Sequence, residues 1–512
     1  MISISIAAFR MPALLHSVPR KLAITAAATA FADWLFYDYR IGLSLALFLL
    51  VLAGTSLLTN PMRSSRREAL IAAVIAIAGL APIVEELNIL SALFGISAVS
   101  IAVASLTNPF IEGWRDRFKA SLTLLLAGPF RLFPDLARAR IWSHSLGHLT
   151  VWIVPVVLGG IFLCLLARAN PLIENVLASF DPRGGVSQFS MVRLLFWIAI
   201  ASVIWPFIHL RWHRKAAPDA EVDATPADAA PEFSEDAFDA LLRAMFAPAA
   251  ILRSLVLFNL LFTVQTMLDL IYLWGGVALP DGMTYATYAH RGAYPLMLTA
   301  LLAAGFVLVA IAPGGLAERK PAIRALVFAW IAQNVMLVIS SILRLDLYVA
   351  TYSLTYWRVA ALIWMVLVAA GLVLIVARIA LNRPNRWLVL ANLTTMVLVL
   401  YACTFINFPW AISTYNVTHS REVSGKGAFV DFQYLVSLGP QALPAIDRYL
   451  RLRPPSYVGN SSGSPVLNMD QQRDRLVQQH TSELDSWRAW NFRGWRLQRY
   501  RDRIAQNSTT AP

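Results

Sequence analysis

Cysteine is nearly missing from this chain. Its two copies, Cys164 and Cys403, both fall inside apolar runs, so no disulfide framework holds the molecule and redox usage says nothing about its compartment. Charge is scarce as well: Asp, Glu, Lys and Arg make up 14% of the residues, where a soluble domain carries about 25%. The common catalytic signatures are missing too, with no P-loop, no GxGxxG after a strand, no GxSxG and no HExxH, so no cofactor is expected. Alternation of polar and apolar residues is absent from the hydrophobic runs, which excludes a membrane β-barrel.

What fills the space is apolar. Hydrophobic residues reach 58% and the mean hydropathy is +0.59. The excess is concentrated in runs of about 18–24 residues, long enough to cross a roughly 30 Å hydrocarbon layer as helix. The fold class that follows is all-α: a polytopic helical membrane protein with about 11 transmembrane helices. The spans run near 22–36, 41–59, 69–84, 89–106, 149–167, 191–210, 251–274, 293–312, 323–343, 357–377 and 387–409. The first is Ala-rich, short, and holds Asp33. The lipid bilayer is thus the first partner. The net charge of +13 reflects basic cytoplasmic loops rather than nucleic-acid binding.

Orientation comes from counting Lys and Arg by loop. One alternate set, including Arg63, Arg66, Arg67, Arg115, Arg117, Lys119, Arg211, Arg214 and Lys215, holds roughly 22; the other, including Arg40, Arg168, Arg183, Arg291, Arg344 and Arg358, holds about 6. The N-terminus is expected in the cytoplasm, without a cleaved signal, and an odd number of spans puts the polar tail from about residue 410 outside a bacterial inner membrane.

Two loops are more than connectors. Phe118–Arg140 has an apolar core too short to span and then FRLFPDLARAR, a basic interfacial helix on the cytoplasmic leaflet; if it spanned, the tail would change sides. Residues 216–233 are rich in Ala, Asp and Pro and read as a flexible linker. They divide a six-helix half, 1–215, from a five-helix half, 234–409, ahead of the tail, 410–512. Ser234 caps a helix that carries an apolar stripe from Phe238 to Phe246. No internal repeat is visible, which weakens a transporter built on repeats.

The polar tail opens with Tyr415. Its segment Asp431–Leu438 reads as a short helix, Gly439 as its C-cap and Pro440 as the first residue of the next helix. Residues 470–505 are helix-like, with Trp487, Trp490, Phe492 and Trp495 set among arginines.

The stretch YNVTHSRE…VDFQYLVSLGPQALPAI resembles a bacterial integral-membrane family of unknown function, domain of unknown function 4173, with its close relative 4153. The residues that carry the likeness are Tyr415, Asn416, Asp431, Tyr434, Leu435, Ser437, Leu438, Gly439, Pro440, Ala442, Pro444 and Ala445. YATYAHRGAYPLM at 285–297, LRLDLYVATYSLTYWR at 343–358 and DSWRAWNFRGWRL at 485–497 are similar to it too, so the likeness spans about 238–503. It implies membrane placement and a helical fold, and no activity.

In this topology His290 and Arg291 end one outer loop, and Arg344, Asp346, Tyr348 and Tyr352 form the next. Asn416, His419 and Arg421 open the outer tail. These nine are the candidate binding residues; no catalytic residue is assigned. Either they pack the tail on the helices, with Asp346, Glu422 and Asp431 answering the arginines, or they form an outward-facing site. Glu85 and Glu86 lie at an outer helix end and His144 and His148 near an inner one, a bilayer apart, so they do not form a metal site. Asp269 with Gln265, and Gln333 with Asn334, are polar groups inside spans and serve interhelical bonding or function; Arg193 is expected to snorkel. The expected function is a non-enzymatic role in sensing, scaffolding or envelope maintenance, with a protein partner or anionic lipid bound at the outer face. The alternative is a transporter or membrane enzyme acting on an anionic or lipid-linked substrate there.

Overall fold

The computed structural model describes residues 18–62, 64–108, 113–138, 191–212, 248–271, 321–452, 469–483 and 485–509. Every regular element among them is helical. In chain order these are α1 (Val18–Phe36), α2 (Leu43–Thr59), α3 (Arg66–Glu85), α4 (Ile89–Thr107), α5 (Trp114–Leu126), α6 (Leu132–Arg138), α7 (Met191–Ile208), α8 (Pro248–Asp269), α9 (Pro321–Tyr352), α10 (Tyr356–Ala380), α11 (Asn385–Phe405), α12 (Phe408–Thr418), α13 (Arg421–Ser424), α14 (Phe432–Ser437), α15 (Leu443–Leu452), α16 (Met469–Glu483) and α17 (Phe492–Thr509). By length and composition 6 of the described helices can cross a membrane: α3, α4, α8, α9, α10 and α11. Two shorter apolar helices, α2 and α7, join them. The spans expected at 149–167 and 293–312, the linker at 216–233 and the helix begun by Ser234 lie outside the described residues, as do His144, His148, His290 and Arg291.

The chain forms two compact units, Met1–Pro218 with His480–Pro512, and Asp219–Gln479. In the first, α3 and α4 form a hairpin whose ends are set by side chains. Ser65 and Glu68 make a capping box at the start of α3, and Asn88 and Ser91 make another at the start of α4. Leu35, Leu49, Leu52, Ile83, Val99, Val103, Ile204 and Phe207 form the core between α1, α2, α3, α4 and α7. The Phe118–Arg140 stretch appears as α5, a 3-10 turn at Pro129–Arg131, and α6. A helix of 13 residues is about 20 Å long, too short to span.

The last residues of the chain belong to this same unit. Leu43 N donates to Trp490 O at 3.0 Å. A Cβ on Gly42 would stand 2.6 Å from the Ala489 carbonyl carbon, so only glycine admits this approach. Arg493 on α17 donates to Glu85 at 3.1 Å and also to Glu86, and Arg496 donates to Glu85. The Arg488 guanidinium lies over Trp34 at 4.5 Å and over Tyr39 at 4.0 Å. Burial pushes the Glu86 carboxyl above the ordinary glutamate range, with Arg493 pulling the other way and Glu85 adding to the rise.

In the second unit α8 packs on α9 through Ile251, Leu255, Phe262, Val327, Trp330 and Leu337. Gln333 on α9 donates to Thr263 Oγ1 at 2.6 Å and to Asn259 O at 3.1 Å on α8, so this mid-span polar group ties two helices. Asn334 bonds its own helix, at Trp330 O. The pair α10 and α11 leaves Trp357, Val373, Leu398 and many other apolar side chains exposed, the surface expected of helices that face hydrocarbon. The span expected to run through 387–409 is broken: α11 stops at Phe405, and Asn407 caps α12 by accepting from Trp410 N at 3.2 Å. The short elements that follow pack through Ile412, Leu435, Leu443, Ile446 and Tyr449, all buried.

Candidate functional site

The expected outer loop at 344–352 is helix. α9 is 32 residues long and ends only at Tyr352. Arg344 is buried and forms an ion pair with Asp269 on α8; Gln265 donates to the same carboxylate at 3.0 Å. This corrects the placement of Arg344 on an exposed face answered by Asp346, Glu422 or Asp431. Those acids have other work. Glu422 accepts from Val430 N at 3.0 Å, Asp431 caps α14 by accepting from Tyr434 N at 2.9 Å, and Asp346 is exposed. Arg193, expected to snorkel, is instead bidentate on Asp33, where Trp197 also donates at 2.8 Å.

The end of α9 is fixed by the segments that resemble the family. Ser353 turns the chain at φ 67. Arg358 donates to Tyr352 O and Ser353 O and lies over the Tyr348 ring at 4.2 Å, so the free carbonyls at the helix end are satisfied. Tyr348 and Tyr352 pair their rings at 5.0 Å. Asn416, buried on α12, accepts from Leu354 N at 2.7 Å and donates to Leu354 O at 2.9 Å. One amide thereby holds the α9–α10 connection against α12. Tyr434 accepts from Tyr356 N at 3.0 Å.

Beyond α12 the chain folds back. His419 stacks on Tyr415 with centroids 4.1 Å apart, and its Nδ1 lies 3.0 Å from Tyr415 O. Arg421 N donates to Ala428 O at 2.9 Å, closing the loop 421–428. Gly425 and Gly427 have φ 75 and 89, values that side chains with a Cβ seldom adopt. A Cβ on Gly427 would also stand 2.4 Å from His419 O. Arg421 is exposed and lies over Phe429 at 5.2 Å.

Between these pieces is a cavity of about 310 Å³, lined among others by Ala350, Ser353, Tyr415, Asn416, His419 and Lys426. Burial first, then the charge of Asp346, hold the Tyr415 phenol above its ordinary range. His419 and Lys426 are exposed at the rim. Lys426 has no carboxylate within ion-pair distance among the described residues. The wall is therefore largely apolar, with Val349, Ala350, Ala428 and the Tyr415 ring beside the Asn416 amide, and the rim carries a cation and an imidazole. That suits a ligand with an anionic group and an apolar body. Thr418 Oγ1 lies 3.0 Å from the His419 Nδ1 beside it.

Of the candidate residues, Asn416 and His419 line this cavity and Asp346 acts on Tyr415; Tyr348 and Tyr352 stiffen the end of α9 beside it. Arg421 is in the adjoining loop, and Arg344 belongs to the ion pair with Asp269. Lys426 and Gly427 were missed by sequence reasoning, although SGKG at 424–427 carried the signal: two glycines around one lysine in a polar loop.

The family whose profile matches is the domain of unknown function DUF4153, over residues 45–449. The matched range takes in α2 to α7, which the likeness read from 238 onward had left out. It also takes in the whole cavity, and it ends before 485–497. No curated protein and no solved structure matches the chain.

Proposed function

The chain belongs to the DUF4153 family, a domain of unknown function, and we propose that it is a multi-pass protein of a bacterial inner membrane that binds an anionic lipid at its outer face. Its N-terminus is cytoplasmic and residues 410–512 are outside. About eleven spans carry it, six in the half before the 216–233 linker and five after. Its role is sensing or envelope maintenance rather than catalysis. The likeness of the 415–445 segment to domain of unknown function 4173 is kinship between the two families.

The observation that carries this reading is the cavity between α9, α12 and the 424–428 loop, with Lys426 and His419 at its rim and Tyr415 in its wall. Lipid headgroups offer the negative charge that Lys426 lacks, and acyl chains offer the apolar body. The test is native mass spectrometry of the protein extracted in a mild detergent. Anionic phospholipid should co-purify with the natural chain and be depleted in Lys426→Ala. Equal lipid in both proteins would remove the site from that cavity. Orientation is tested separately: a reporter active only outside the cytoplasm should work when fused after Arg453 and stay silent after Ala224, as the loop charge bias requires.

The second reading is a transporter or membrane enzyme for an anionic or lipid-linked substrate. It is favoured by the Asp269–Arg344 pair, because ionisable groups inside spans commonly mark ion and substrate pathways. Uptake or turnover abolished in Asp269→Asn with lipid retention unchanged would support it over the first.

A further inference from the structure

A second site lies in the first unit, where α1 begins and α2 and α7 end. Lys21, in the first turn of α1, is only 7% exposed. Its Nζ has one hydrogen-bond partner, Asn60 Oδ1, at 3.3 Å. No carboxylate lies within ion-pair distance of it among the described residues. Asn60 is itself clamped, donating to Ser56 O at 2.8 Å and to Phe207 O and Ile208 O, both at 3.2 Å. The buried ammonium is thus held beside the end of α7, and the next residue there is His209.

His209 has an unused buried donor. Arg211 Nε donates to its Nε2 at 3.1 Å, so the ring proton of the neutral imidazole sits on Nδ1. That Nδ1 is buried and has no hydrogen-bond partner. Burial first, then the charges of Lys21 and Arg211, push His209 down to about 4, against a smaller pull upward from Asp135. The ring is therefore neutral near pH 7. Arg211 is answered by Asp135 at 3.0 Å, and Asp135 also accepts from Trp205 Nε1 at 3.0 Å. The Asp135 carboxylate is thus engaged by Arg211 and Trp205. An ammonium buried with a single long hydrogen bond, next to a buried imidazole N–H with none, is unfavourable unless something supplies acceptor oxygens.

The geometry points to an oxyanion site here: a phosphate-type group bound by the Lys21 ammonium and the His209 Nδ1–H, with half-exposed Arg211 at its rim. Such a group supplies a negative charge for Lys21 and several acceptors for the idle donors. The same chemistry is offered by a phospholipid headgroup, since α2 and α7 are apolar up to this level, and by free phosphate.

The test uses the full chain in phosphate-free, non-ionic detergent, with the melting midpoint as readout. Two probes are titrated separately: inorganic phosphate, and phosphatidylglycerol in mixed micelles. A saturable rise with phosphate alone identifies a soluble anion as ligand, and a rise only with phosphatidylglycerol identifies a headgroup; both support the site. Lys21→Met should reverse the order: it melts above the natural chain without anion, because a lone buried charge is gone, and below it with saturating anion. Binding should weaken about ten-fold or more, the loss of one charge-assisted hydrogen bond. Should Lys21→Met fail to fold, His209→Phe keeps the ammonium and should show the same weakening. No rise with either probe, or an unchanged rise in both variants, overturns the site.

Discussion

Arg493 and Glu85 are 408 residues apart in sequence, and their side chains meet at 3.1 Å. The Arg493 side chain is 3% exposed, and it also takes Glu86. Its guanidinium bridges two adjacent carboxylates, the mostly buried Glu85 and the partly exposed Glu86, and Arg496 brings a second cation to Glu85. Removing one member of a buried, hydrogen-bonded ion pair costs about 3–5 kcal/mol, mostly because the remaining charge is stranded. Arg493→Ala should therefore destabilise the first unit by roughly that amount and speed proteolysis within 487–509. Arg496→Ala, whose side chain is half exposed, should cost less than about 1 kcal/mol. Equal effects of the two substitutions on the unfolding midpoint would show that the pair at Glu85 does not dock the segment.

Arg344 is tied to α8 rather than to the outer face on which its sequence position puts it. Arg344 and Asp269 join α9 to α8, so Arg344→Ala should lower stability by about 3–5 kcal/mol. Asp269→Asn should fall by a similar amount. The double variant Asp269→Leu, Arg344→Leu should recover part of the loss, because neither member of the pair is left facing the other's empty place. Cleavage near Ser424 should stay at its natural rate in all three. A faster cut there in Arg344→Ala alone would return Arg344 to the tail.

How much of this was legible follows from which signals are local. Hydropathy and capping are local. The starts of α3 and α4 follow from Ser65 with Glu68 and from Asn88 with its hydroxyl partner Ser91. The turn at Gly439–Pro440 was readable for the same reason, since Gly439 has φ 79 and Pro440 opens the 3-10 turn. Pairings across helices are not local. The charge that sent Arg344 to a loop is cancelled by Asp269 at a distance of 75 residues, and Asn416 and Leu354 meet across 62. Asn416 and His419 were singled out because they sit in the segment that resembles the family, and the fold places both along the cavity. Lys426 was passed over because one lysine in a polar loop looks like any solvated charge until the cavity behind it is seen.

The cavity makes its own prediction through Gly427. Its φ of 89 and the 2.4 Å approach of a Cβ to His419 O forbid a side chain without movement of the loop. Gly427→Ala should destabilise the loop by about 1–3 kcal/mol and displace Lys426 from the rim. Lipid retention should then fall as far as in Lys426→Ala, with the global melting midpoint nearly unchanged, since the loop is exposed. Gly425→Ala, where a Cβ meets nothing, is strained by its φ but free of the collision and should retain more lipid. Indistinguishable retention in the two variants and the natural chain would mean that the loop does not shape the site.

The last prediction concerns pH and uses His209. Its folded value is lowered from 6.5 to about 4. A histidine whose folded value is depressed favours folding above the unfolded value, and that contribution is lost as pH falls, because the unfolded chain takes up the proton first. The melting midpoint in phosphate-free detergent should therefore decline as pH drops from about 6.5 toward about 4. Other groups titrate nearby. His480 is lowered too, by burial and then by Arg501, and acts in the same direction. Glu86 is raised by burial and acts in the opposite one, its contribution being present at low pH and lost as pH rises. The measurement must thus be a difference: the midpoint of the natural chain minus that of His209→Phe, followed across the window. The difference should shrink as the pH is lowered, because only the natural chain loses the His209 contribution. Saturating phosphate adds a second condition, since an oxyanion bound at Nδ1–H favours the protonated ring and draws its value back toward 6.5. The slope of the difference should then flatten. A difference that is constant with pH in both conditions would show that His209 is solvated and that no charge from Lys21 or Arg211 reaches it.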